Sequence, residues 1–131
     1  MTPPALPEEV RALIYSSVPT IDALEVLLLL VREPGRVRTV AEIARDLEPT
    51  ILPEDSIREY LALLSSQGIL QGSPETGVAY RPASSGMEAA VEGLRAAYDQ
   101  KPVTLIRTVY SIADAKKVQA FADAFRLRKD P

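Results

Sequence analysis

The sequence predicts a mainly α fold, with helices arranged around one small β-hairpin and additional helices at both ends. Three observations predict it. Thr39-Val40-Ala41-Glu42 has the spacing of a capping box, in which the hydroxyl accepts the N3 amide proton and the carboxylate accepts the N-cap amide. Apolar residues then recur at helical spacing as far as Gly68, a residue suited to the left-handed turn after a helix. Beyond it, Ile69-Leu70-Gln71 and Val78-Ala79-Tyr80-Arg81 flank a turn-rich segment, 72–77, and read as two short strands joined by a loop.

Residues 1–7 carry three prolines and are expected to form a poorly ordered arm. Pro7-Glu8-Glu9 suits a helix start, with acids at the positive end of the dipole. Val10, Leu13, Ile14 and Val18 supply its apolar stripe, and Pro19 breaks it. Thr20 caps a second helix over 21–32. There Leu24, Leu27, Leu28 and Val31 share one face, and Val26, Leu29 and Leu30 widen it almost all round. A helix that apolar has to be buried on most sides. Glu33-Pro34-Gly35 is a turn, and Arg36-Val37-Arg38 is expected to be the first strand of the small sheet. A short helix over 39–47 buries Val40, Ile43, Ala44 and Leu47 and stops at Pro49; a longer one over 53–67 buries Ile57, Tyr60, Leu61 and Leu64. The connection over 48–52 is longer than the usual turn between paired helices.

After the hairpin, Ser84 or Ser85 caps a helix over 86–100 with Met87, Ala90, Val91, Leu94 and Tyr98 on its apolar face. Lys101-Pro102 breaks the chain. Val103, Ile106, Val109 and Tyr110 suggest a further short helix, although 103–112 is β-branched enough for a strand. A last helix over 113–129 places Val118, Phe121, Ala122 and Phe125 on one side, with Arg126, Arg128 and Lys129 at the negative end of the dipole.

Short helix, turn, longer helix and hairpin is the order of a winged helix-turn-helix. The expected fold is therefore a winged helix-turn-helix with a small β-hairpin wing and extra N- and C-terminal helices. Residues 1–19 form an arm and helix, 20–82 the winged unit, and 83–131 a helical extension expected to dimerise.

Bulk properties narrow the function. The chain of 131 residues has no cysteine and no histidine. It therefore offers no disulfide framework, no Cys/His zinc site and no imidazole base. It has no Gly-rich phosphate loop with a Walker lysine and no G-x-S-x-G, so neither enzyme activity nor a cofactor or metal is expected. Acid pairs such as Glu8-Glu9 and Glu54-Asp55 sit at helix starts, where they complement the dipole. The N-terminus lacks the basic and apolar regions of a signal peptide, and the apolar run 26–31 is too short to span a bilayer. A cytoplasmic protein that avoids membranes is expected. Net charge is −3: residues 1–52 contribute −3, residues 53–82 contribute −2 and residues 83–131 contribute +2. The winged unit is thus slightly acidic, whereas proteins that grip nucleic acid usually present a basic face.

The segments Ala23-Leu24-Glu25-Val26-Leu27-Leu28-Leu29-Leu30, Thr39-Val40-Ala41-Glu42-Ile43-Ala44-Arg45-Asp46-Leu47 and 57–70 carry a resemblance. They resemble the winged helix-turn-helix domains of bacterial transcription regulators, broadly of the MarR type. The resemblance implies double-stranded DNA as a partner, with the 53–67 helix in the major groove. Its candidate readers are Ser56, Arg58 and Glu59, and Arg36, Arg38, Arg45 and Arg81 are candidate phosphate contacts. Glu54, Asp55 and Glu59 would repel phosphate on that same helix. The alternative is a protein-interaction module that binds no DNA, since winged helices serve both ends. Excess apolar surface predicts a homodimer, with Leu29, Leu30, Tyr98, Tyr110, Phe121 and Phe125 as its interface.

Overall fold

The computed structural model describes residues 6–129, with side chains as far as Phe125. Residues 1–5 of the expected proline arm, and the charged ends of Arg126, Arg128 and Lys129, lie outside the described residues. Leu6, assigned to that arm, is instead buried against the core.

Among the described residues are six helices and one two-stranded antiparallel sheet. In chain order they are α1 (Glu8–Ser17), α2 (Ile21–Val31), α3 (Val40–Asp46), α4 (Glu54–Ser66), β1 (Leu70–Ser73), β2 (Gly77–Tyr80), α5 (Ser85–Gln100) and α6 (Pro102–Lys129). The starts follow local chemistry. The Ala23 amide donates to the Thr20 hydroxyl, the Met87 amide to the Ser84 hydroxyl, and Thr39 and Glu42 complete the capping box in both directions. No single described helix is long and apolar enough to cross a membrane.

Helix α2 is the centre. It packs on α3, α4 and β2, while α1, α5 and α6 pack on one another. Ala23, Leu24, Val26, Leu27, Leu30 and Val31 are all buried, and a single apolar cluster runs from Leu6 to Val109. Tyr98 of α5 is half-buried, with its hydroxyl 3.5 Å from a Glu25 carboxylate oxygen on α2. The chain's own helices therefore cover α2 on all sides.

The hairpin pairs Leu70 with Tyr80 and Ser73 with Gly77. Gly77 has φ +105°, and a Cβ there would lie 2.7 Å from Val37 Cγ1, so glycine is required for both reasons. The extended segment expected over Arg36-Val37-Arg38 shrinks to one bridge, in which Arg38 and Val78 exchange both backbone hydrogen bonds at 2.9 Å. The turn at Gly35 and the cap at Thr39 leave too few residues between them for a longer strand.

A second expectation is corrected at the C-terminal end. Residues 103–112 form neither a strand nor a separate helix; they are the first turns of the continuous α6. Leu105 and Val109 are buried and Ile112 packs beside them, a helical spacing that satisfies the core. Burial at that period overrides the β preference of the branched residues.

Candidate interaction surfaces

The α3–α4 pair presents one of two surfaces. Ile57, Leu61 and Leu64 are fully buried, which turns the opposite side of α4 to solvent. That side holds Glu54, Asp55, Arg58 and Glu59, all exposed, with Ser56 half-buried at its edge. Arg58 is the helix's one base, and its guanidinium lies 3.1 Å from the Asp55 carboxylate. The exposed face is therefore acidic, and its single cation is already partnered.

The other arginines assigned to phosphate are dispersed. Arg36 donates to both carboxylate oxygens of Glu33 at 2.9 Å. This hydrogen bonding, then the charge of the same carboxylate, raises its pKa above the ordinary value. Arg38 is not on a surface at all. The bridge to Val78 turns Val37 outward, 59 % exposed, and Arg38 inward, 2 % exposed, because neighbouring residues of an extended chain face opposite ways. Its guanidinium lies 3.3 Å from Glu33 and 3.7 Å from Asp46, so it serves as an internal tie between the turn and α3. Arg38 is accordingly withdrawn from the phosphate contacts. Arg81 is exposed and reaches the Gln71 side chain at 3.4 Å across the hairpin. Arg45 is exposed on α3. The hairpin loop carries Glu75 and is held by Ser73 and Thr76, whose hydroxyls lie 2.9 Å apart.

Two groups have informative pKa directions. The backbone amide of Thr39, and then its hydroxyl, hold the Glu42 carboxyl below the ordinary value. Burial pushes the Tyr80 phenol up to about 12, with the charges of Glu88 and Glu92 acting the same way. Glu42 caps a helix and Tyr80 packs the hairpin onto the core. No group of three or more His, Cys, Asp or Glu positioned to hold a metal occurs among the described residues.

The second surface is on α6. Of the residues assigned to a dimer interface, Leu29 and Leu30 are buried inside this chain, and Tyr98 is packed against its core. Leu29 and Leu30 leave the interface, because their own chain already covers them, and Tyr98 is half-buried against the core. Tyr110 and Phe121 remain 60 % and 73 % exposed, and Phe125, 52 % exposed, stacks on Phe121 with ring centroids 6.4 Å apart. Val103 and Ile106, which with Val109 suggest a short helix in the sequence, are exposed as well. Lys116 ties α6 to α1. Its ammonium donates to the Tyr15 carbonyl at 2.7 Å and sits 4.7 Å from the Tyr15 ring centroid. From Lys117 to Phe125 every residue except Ala122 is exposed. The sequence signal for this second stripe was present in the period of α6, but a break placed at 112 split it between two elements.

Comparison with protein-family models, with curated proteins and with solved structures finds no match for this chain.

Proposed function

We propose that residues 21–81 form a winged helix-turn-helix unit and that the chain is a non-enzymatic, cytoplasmic interaction protein acting through protein contacts rather than through DNA. The carrying observation is the exposed face of α4. In a winged helix this face would enter a groove, yet it shows three acids and one arginine paired to one of them. Duplex DNA carries one phosphate charge per ~1.7 Å, so such a face is repelled where attraction is needed. The absence of histidine and cysteine removes the commonest general base, thiol nucleophile and zinc ligands. The exposed aromatic stripe of α6 gives the module a surface to work with.

The second reading is a DNA-binding transcription regulator of MarR-like design. It draws on the element order and on Arg45 and Arg81, both exposed near the helix pair and the hairpin. Fluorescence anisotropy with random and mixed-sequence duplexes, across a salt series, separates the two. Protein-contact function predicts no binding even at low salt. Tight binding that falls steeply with rising salt would overturn it in favour of DNA regulation.

A further inference from the structure

Helix α6 faces two ways. Leu105, Val109 and Ile112 pack into its own core. On the other side a line of residues runs Ile106, Tyr110, Asp114, Lys117, Phe121, Phe125, in steps of four, four, three, four and four. Steps of three and four keep side chains on one face of a helix. The line is symmetrical about the point between Ala115 and Lys116: the same spacing is read from either end, apolar or aromatic outside, one acid and one base at the centre.

We infer that α6 pairs antiparallel with α6 of a second copy of this chain, about a two-fold axis passing between Ala115 and Lys116. The inference deepens the protein-contact reading by naming the partner. In this register Asp114 meets the second copy's Lys117, and the reverse contact forms at the same time, as two-fold symmetry requires. Tyr110 meets Phe121 across the axis, and Ile106 meets Phe125. A parallel pairing would set Asp114 against Asp114 and Lys117 against Lys117, so charge selects the orientation.

Three observations support the choice of occupant. Neither Asp114 nor Lys117 makes an ion pair among the described residues, so both charges are available. A shallow groove of about 340 Å³ lies beside Tyr110, Asp114 and Lys117, closed on its far side by Pro19, Ile21 and Asp22. It gives the second copy's Phe121 ring an edge to enter beside Tyr110. Past Lys116 the helix runs beyond its own core with Val118 and Phe121 at 68 % and 73 % exposure. Helix ends of that kind draw most of their stability from packing rather than from propensity, and the antiparallel partner supplies it along the whole line.

Sedimentation velocity on the full chain tests this, using wild type, Asp114→Lys, Lys117→Asp and an equimolar mixture of the two variants. Wild type is expected to dimerise at micromolar concentration. Each variant alone sets like charges together at the axis and weakens the dimer roughly tenfold or more. The mixture recovers it, because an all-basic centre then faces an all-acidic one. Recovery also shows that both variants are folded. A wild-type monomer at high micromolar concentration overturns the pairing, as does a mixture no stronger than either variant alone. Variants that dimerise as well as wild type overturn the register. None of these outcomes alters the anisotropy result with DNA, so the two readings fail separately.

Discussion

In α2 the apolar residues occupy nearly the full circumference and all but Ile21 are buried in the same chain; in α6 they occupy two opposite stripes and only one is buried. Leu27 and Leu30 are at most 1 % exposed, whereas Tyr110 and Phe121 are at least 60 % exposed. The difference lies in composition as well as position: nine of the eleven residues of α2 are apolar, whereas α6 interleaves its apolar residues with many charged and polar ones. Helix α2 lies between α3, α4 and β2 on one side and has Tyr98 of α5 over Glu25 on another. Among the described residues helix α6 packs mainly on α1 and α5, and it is longer than either. A helix apolar almost all round thus ends up at the centre of the chain, while a helix with separate apolar stripes leaves one of them exposed.

The largest expected effect tests this contrast directly. Leu27→Ala should destabilise the chain by about 2–5 kcal/mol, the usual range for emptying a buried leucine site. Phe121→Ala, measured in protein dilute enough to be monomeric, should shift stability by no more than about 0.5 kcal/mol. Urea denaturation of both variants checks the pair. Equal losses would mean that Phe121 is buried in solution by its own chain, and the contrast would collapse.

A smaller effect is expected at the helix pair that α2 supports. Thr39→Ala removes the hydroxyl half of the capping box, leaving the backbone amide at that position to donate to Glu42, and should cost about 1 kcal/mol. Thermal unfolding of the variant, with no change in oligomeric state, is the expected pattern. An altered dimer would mean that α3 communicates with α6, which their separation in the fold argues against.

The last effect appears only at high pH. Tyr80 stays neutral to about 12 in the folded chain, against an ordinary value of 10. The unfolded chain therefore releases this proton first. The associated stability is complete below pH 10 and is lost as pH rises from there towards 12. Comparing the pH dependence of unfolding for wild type and Tyr80→Phe isolates it: the variant should lose less stability across that window. Phenolate absorbance should show one of the five tyrosines titrating late. Absence of a late titration would place Tyr80 in water and loosen the hairpin from α2.

Much of the fold was legible because it is local. The caps at Thr20, Thr39 and Ser84 each act on an amide three residues away. Gly68, with φ +79°, ends the α4 segment for reasons contained in its own backbone. The helices, the hairpin and their order follow from such signals and from apolar spacing. The surfaces were legible only in part. Tyr110, Phe121 and Phe125 were singled out as apolar excess and do lie at the surface. Leu29, Leu30 and Arg38 were assigned to surfaces and are buried.

By itself the sequence determined where α1 to α5 start, which of their faces is apolar, and that the central helix has to be enclosed. Those properties are set within one or two turns of chain, by hydrogen bonds and periodicity that operate before any tertiary contact forms. Tertiary structure decided what encloses each apolar face and where each charge ends up. It placed Arg38 inside through a bridge to Val78, forty residues along the chain. It joined 103–112 to the last helix because Leu105 and Val109 find a core there. It also left Tyr110, Val118 and Phe121 of α6 exposed while Leu105 and Val109 on the opposite side are buried. Coverage depends on which elements meet and how long each is, and that is a property of the assembled fold rather than of any segment within it.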